Sequence, residues 1–196
     1  MAKSALLIVD VQNDFCPGGA LAVPNGDEVV QPLNQMIAFA RAEDMPIIAS
    51  RDWHPTKTSH FTEYGGLWPK HCLRDSPGAT FHPELQLPPT AIIISKGIEK
   101  DENAYSAFEG LAEKAILLTD ILDKEDVDTL YIGGLATDYC VEATVLDARR
   151  FGFTVYLLLD ACRAINLHPL DNELSVKEMQ NAGAIISSVQ EIIHER

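Results

Sequence analysis

Tyr131-Ile132-Gly133-Gly134-Leu135-Ala136-Thr137-Asp138-Tyr139-Cys140-Val141 is the stretch on which the reading of this chain turns. The residues leading into it, Asp128-Thr129-Leu130-Tyr131-Ile132, have the β-branched and aromatic content of a buried strand. Two glycines then mark a turn, and the apolar period changes. Val141, Thr144, Val145, Ala148 and Phe151 fall at helical spacing, and Thr137 or Asp138 is placed to cap that helix. Cys140 thus stands in a first helical turn, where unpaired N–H groups and the helix dipole favour an anion. A thiol so placed is expected to have a lowered pKa and to react as the thiolate. The alternative is a buried, inert cysteine, since free Cys is among the most buried residue types.

The same strand–turn–helix rhythm extends in both directions. Residues 5–9 form a short, wholly apolar strand of the kind buried on both faces of a parallel sheet, and Asp10 ends it. A Pro-Gly-Gly turn follows at 17–19. A helix is expected over 27–41 with Val30, Leu33, Ile37 and Ala40 on one face. Further strands are expected at 46–50, 91–95 (ending at Lys96), 153–159 and 184–186, with helices at 117–124 and 172–181 and a terminal helical turn. Strands alternating with helices predict an α/β fold with a largely parallel sheet, in one domain spanning 1–196. Such sheets bind ligands beyond the carboxyl ends of their strands. Asp10, Asp52, Lys96 and Cys140 all stand at such ends.

Composition narrows the function classes. A formal net charge of −14 with no basic patch argues against nucleic-acid and anionic-membrane partners. No apolar stretch approaches membrane-spanning length, and the N-terminal apolar run is too short for a signal-peptide core. Cys16, Cys72, Cys140 and Cys162 lie far apart with no C-x-x-C pair, which predicts reduced thiols and a cytoplasmic protein. Gly18-Gly19 and Gly133-Gly134 complete neither a dinucleotide fingerprint nor a P-loop, and no G-x-S-x-G elbow is present.

Three groups of residues can carry chemistry. Asp10, Lys96 and Cys140 are an acid, a base and a thiol that can meet at the strand ends; a thiol nucleophile needs a group to take its proton and return it to the leaving group. The structural alternative has Asp10 capping a loop and Lys96 merely pairing with it. Asp52, His54, His60 and His71 lie in the region 52–89, where the helix–strand pattern breaks; a loop region this long inside a compact domain is usually functional. One carboxylate and three imidazoles suit zinc, iron or manganese if the loop folds back on itself, and are otherwise four solvated polar residues. His82, His168 and His194 join no such set. Phe15, Trp68 and Tyr105 lie in loops near the same edge, where they can sandwich a flat ring; spacing alone favours their covering the core.

Six segments in order resemble the nicotinamidase/pyrazinamidase group of the isochorismatase-like cysteine hydrolases: Leu7-Ile8-Val9-Asp10-Val11-Gln12-Asn13-Asp14-Phe15, Asp52-Trp53-His54-Pro55, Trp68-Pro69-Lys70-His71-Cys72, Lys96-Gly97, Ala104-Tyr105-Ser106-Ala107-Phe108 and Gly134-Leu135-Ala136-Thr137-Asp138-Tyr139-Cys140-Val141. The resemblance covers most of the chain, from about residue 5 into the 180s. The resemblance implies a three-layer fold with six mainly parallel strands flanked by helices, and an amidohydrolase converting nicotinamide to nicotinate and ammonia, with pyrazinamide also accepted, in NAD salvage. It implies a triad of Cys140 as nucleophile, Asp10 as proton carrier and Lys96 as charge support. It also implies an oxyanion hole of the Ala136 and Cys140 N–H groups beside a cis peptide at Leu135–Ala136. By resemblance, Asp52, His54 and His71, with His60 as fourth, hold one divalent ion, zinc first and iron or manganese as alternatives. Phe15, Trp68 and Tyr105 then line the ring pocket, and Tyr139 stands where some members have histidine. A homo-oligomer is compatible with the family, although the residues carry no interface signature. Isochorismatases proper lack the cysteine, and carbamoyl-amidohydrolases keep the triad without this metal set. A non-catalytic metal-binding or thiol-sensing protein on the same scaffold is the rival from another class, and the complete triad argues against it.

Overall fold

The computed structural model describes residues 3–102 and 105–194. Ala104, quoted above in the fifth motif, lies outside the described residues. Six strands, β1 (Lys3–Val9), β2 (Ile47–Asp52), β3 (Ile92–Lys96), β4 (Val127–Leu135), β5 (Thr154–Arg163) and β6 (Ile185–Ser187), form one sheet in the order β3-β2-β1-β4-β5-β6. The sheet is wholly parallel, where mainly parallel was expected. Five helices accompany it: α1 (Val30–Ala42), α2 (Leu118–Lys124), α3 (Glu142–Arg150), α4 (Asp171–Asn181) and α5 (Val189–His194).

The three layers follow from the two-residue period of β1. Leu6 and Ile8 point to one face, packing with Leu33, Met36 and Ile37 of α1 and Val189 and Ile192 of α5. Ala5, Leu7 and Val9 point to the other, packing with Leu118 and Leu122 of α2, Val145 and Ala148 of α3 and Met179 of α4. Fully burying each such branched side chain contributes about 1.5–3 kcal/mol, so β1, apolar on both faces, is the natural centre of the sheet. The topological switch falls between β1 and β4, where crossovers leave the sheet toward opposite faces and open a crevice. Gly134 lets the two strand ends close on each other. Its φ is +134°, and a Cβ there would lie 2.0 Å from the Val9 carbonyl oxygen.

Several local expectations are corrected. The first helix begins with a 3-10 turn at Gly26–Val29, and α1 proper starts at Val30. Phe151 is 59 % exposed beyond the end of α3, its ring against Phe108 rather than in the core. β5 runs four residues past the expected end. The pairing slips between Ile132 and Gly134, and Asp160, the polar residue that masked the strand, accepts from the Val189 N–H at the start of α5. Among the described residues, no helix is long and apolar enough to cross a membrane.

Candidate active site

Asp10, Asp52, Lys96 and Cys140 come from the carboxyl ends of β1, β2, β3 and β4, and the parallel register sets them side by side. All four are buried. The Lys96 ammonium lies 2.8 Å from Asp10 Oδ2 and 3.4 Å from Cys140 Sγ, and it is also bonded to Asp52 Oδ1. Ser50 Oγ donates to Asp10 Oδ1 at 2.7 Å, and the Cys140 sulfur lies within 4.8 Å of an Asp10 carboxylate oxygen. One ammonium thus sits between two carboxylates and a thiol in a dry site, where an unpaired charge would cost several kcal/mol.

The electrostatics follow from that burial. Desolvation pushes the Asp10 carboxyl up, against the opposing pull of Lys96. Asp52 is equally desolvated, yet the Lys96 ammonium, with the His54 and His71 rings beside it, holds it well below the usual carboxylate range. Burial alone would lower Lys96; Asp10, Asp52 and Cys140 hold it well above the usual value. Cys140 reverses the expectation drawn from helix position. Burial pushes its thiol well above the ordinary value, Lys96 pulls it back only in part, and the two carboxylates push it further. Neither Thr137 nor Asp138 caps the helix. The turn Thr137–Val141 has π geometry with Ala136 at its N-cap, and Asp138 instead accepts from the Ile165 and Asn166 N–H groups at 2.9 and 2.7 Å. The balance favours the protonated thiol, and the Asp10 carboxylate beside it is a group that can take its proton.

Beside this group the 52–89 region folds back, bridging His54 to Leu73 and Phe61 to Trp68. One ring nitrogen from each of His54, His60 and His71 lies within 4.8 Å of the others. His54 Nδ1 engages the Gly97 carbonyl at 3.0 Å and His71 Nδ1 the Pro69 carbonyl at 2.7 Å, so backbone fixes both rings with Nε2 turned inward. Both Nε2 atoms face Asp52 Oδ2, at 3.5 and 3.6 Å, too long for good hydrogen bonds. His54 Nε2 is buried without a hydrogen-bond partner. An orphaned imidazole nitrogen, carbonyl-oriented rings and a donor set of three nitrogens and one oxygen fit a zinc-type ion. Asp10, Asp52 and Cys140 form a second close trio, but the Lys96 ammonium already supplies its cation. Gly97, at φ +62°, gives the cluster its room, because a Cβ there would lie 2.3 Å from His54 Cε1.

A narrow cavity joins the two groups. Phe15, Trp68 and Tyr105 line it, with Asp52, His60, His71, Ala136 and Cys140 on its floor. Trp68 Nε1 donates to Tyr105 Oη at 2.9 Å, and the Trp68 ring meets Tyr139 edge-on at 4.9 Å. The Leu135–Ala136 peptide is cis, as the resemblance implies. Leu21, Ile165 and Ser50 escaped the sequence reading. Ser50 had a signal, a polar residue in an apolar strand opposite β1; Leu21 and Ile165 sit in irregular chain with none. Wider hollows elsewhere, such as the one between α1 and residues 83–86, lie away from the thiol and the histidine cluster.

Fold and site together define a doubly wound α/β protein whose switch-point crevice gathers a thiol, two carboxylates, an ammonium and three imidazoles. Residues 4–191 match the Isochorismatase domain, and the chain belongs to that family. It is 40% identical over 203 residues to the nicotinamidase of Escherichia coli (strain K12), covering 95% of each chain. It is 38% identical over 165 residues to the nicotinamidase/pyrazinamidase of Mycobacterium tuberculosis, covering 83% of this chain and 87% of that one. Among solved structures it resembles the pyrazinamidase of Pyrococcus horikoshii in complex with zinc, with a TM-score of 0.88 and 46% identity over 95% of this chain and 99% of that one.

Proposed function

We propose that this chain, as one domain over 1–196, hydrolyses nicotinamide to nicotinate and ammonia and also accepts pyrazinamide. The observation that carries the reading is the Lys96 ammonium joining the Asp10 carboxylate to the Cys140 sulfur, beside an aromatic cavity that reaches the histidine cluster. Relatives named for both activities support the substrate class.

The residues supply a complete acyl-transfer cycle. Phe15, Trp68 and Tyr105 take the flat heteroaromatic ring by its faces and edge. As Cys140 Sγ bonds to the carboxamide carbon, its proton passes to Asp10, so no free thiolate forms in a site that disfavours one. The Ala136 and Cys140 N–H groups serve the oxygen that becomes negative, the point at which donors matter most. The C–N bond breaks as Asp10 returns the proton to nitrogen, and ammonia departs. Asp10 then takes a proton from water attacking the thioester carbon, the C–S bond breaks, and Cys140 recovers its proton with release of the acid. Lys96 keeps its charge throughout and holds Asp10 ionisable. Asp52, His54, His60 and His71 would hold one divalent ion, zinc first and iron or manganese as alternatives; such an ion supplies a Lewis-acid anchor for a ring nitrogen. Reduced cysteines fit a cytoplasmic setting in NAD salvage, and the family leaves room for a homo-oligomer.

Ammonia release from nicotinamide by purified protein tests the reading, with a chelated sample beside it. The expected result is release that chelation removes and a divalent metal restores. No release with metal restored, or turnover of another amide alone, would overturn the substrate assignment.

A further inference from the structure

Gln12 and Asp14, in the segment that follows Asp10, do not line the cavity, yet they grip the segments that carry the proposed metal ligands. Gln12 is fully buried, and every polar atom of its amide is engaged. Its Oε1 accepts from the Asp52 N–H at 2.8 Å, and its Nε2 donates to the Asp52 carbonyl at 2.8 Å and to the Ala79 carbonyl at 2.8 Å. A side-chain amide thereby replaces a strand neighbour at the point where β2 ends, fixing the residue whose carboxylate divides between Lys96 and the histidines. Two residues on, Asp14 Oδ2 accepts from the Cys72 N–H at 2.7 Å and Oδ1 from the Ala20 N–H at 3.2 Å. Cys72 follows His71 directly and has φ +45°, a backbone conformation that needs holding in place. Gly78 closes over the Asp14 carboxylate so tightly that a Cβ would come within 2.3 Å of its atoms.

We propose that Gln12 and Asp14 are positioning residues for the cation site: Gln12 sets Asp52 and Asp14 sets His71, from one short segment rigidly joined to β1. The inference rests on the reading that Asp52 and the three histidines hold a divalent ion. It extends that site to two residues that contact neither ion nor substrate. Both grips act through main chain, so they fix where a ligand stands without altering its basicity. Partners at this remove typically change metal affinity by about 10–100-fold when lost.

Zinc affinity, read by competition with a chromophoric chelator, tests this directly without relying on turnover. The variants are Gln12→Met, which keeps the length but none of the hydrogen bonds, Asp14→Ala, and the conservative Asp14→Asn, which keeps one acceptor. Asn34→Ala is the control, because Asn34 likewise ties loop backbone, to Glu84 and Gln86, but far from the histidines. The expected result is zinc binding weakened at least about tenfold in Gln12→Met and Asp14→Ala, less in Asp14→Asn, and unchanged in Asn34→Ala. Equal affinity in all folded variants overturns the inference while leaving the metal site standing. Failure of wild type to bind zinc overturns the underlying reading instead. If neither Gln12→Met nor Asp14→Ala folds, wild-type NMR decides. The Gln12 side-chain NH2 signal should exchange slowly with solvent and shift on zinc addition; a fast-exchanging, zinc-indifferent signal refutes the role.

Discussion

Replacing Lys96 by methionine keeps length and volume but removes the ammonium that compensates two buried carboxylates. Breaking a buried pair by deleting one partner costs about 3–5 kcal/mol, because the surviving charge is left without water. Here the Lys96 ammonium faces Asp10 Oδ2 at 2.8 Å and is bonded to Asp52 as well, so the upper half of that range is expected. The protein escapes part of the cost by protonating a carboxylate. Asp10 is the one that yields, since burial already pushes it up whereas His54 and His71 still hold Asp52 down. A protonated Asp10 cannot accept the thiol proton, so general-base assistance worth about 10²–10⁴-fold is lost from kcat/KM at neutral pH. Two assays read this together: urea unfolding, with the loss shrinking as pH falls toward the carboxylate range, and steady-state ammonia release. Lys96→Met within about threefold of wild-type kcat/KM, or equally stable at neutral pH, would refute the assignment of Lys96 as the charge that keeps Asp10 ionisable.

Other consequences are as definite. The Ser50 hydroxyl favours ionised Asp10, so Ser50→Ala raises the Asp10 pKa further, and the acid limb of kcat/KM, set above the ordinary carboxylate value, moves to higher pH; an unmoved limb separates Asp10 from the base role. Gly97→Ala drives a Cβ to within 2.3 Å of the His54 ring at a backbone φ of +62°, so divalent-metal affinity should drop in chelator competition while the fold persists by circular dichroism. Tyr105→Phe removes the acceptor for the Trp68 indole N–H, a half-buried bond whose loss costs about 1–3 kcal/mol, and is expected to raise KM for nicotinamide more than it lowers kcat. Lys96, held well above its ordinary pKa, adds stability that is complete below about pH 10 and lost as pH rises toward its folded value, so urea midpoints should be free of this loss up to about pH 10 and show its onset by about pH 11.

The sequence was most legible where one physical demand acted alone. β1 has to be apolar on both faces because both helical layers pack on it, and residues 5–9 say so plainly. The strand ends were legible for a related reason: Asp10, Asp52 and Lys96 each stand within three residues of the last residue of an apolar run. β5 was harder, because Asp160 serves the start of α5 rather than a surface and so interrupts the apolar run from inside the strand. The histidine cluster was legible as chemistry but not as geometry. Nothing in the spacing of His54, His60 and His71 encodes the fold-back of the 52–89 region, which depends on long-range contacts. The Cys140 thiol shows the opposite failure. Local position in a helical turn predicts a lowered pKa, but burial beside two carboxylates outweighs the turn, and burial is a property of the whole fold. Leu21 and Ile165 reach the cavity from irregular chain whose place is set by partners such as Asp138, and no local pattern announces them.

The central claim is that Cys140 carries the acyl group and Asp10 carries the proton, and trapping the acyl group tests it most directly. Metal-loaded protein turning over nicotinamide in the presence of hydroxylamine should divert product from nicotinate to the hydroxamate at unchanged ammonia release. Acid-quenched samples should show one nicotinoyl group on the peptide that contains Cys140. Cys140→Ala should give neither product. Ammonia release by Cys140→Ala at the wild-type rate, with no acyl group on any cysteine, would contradict the account.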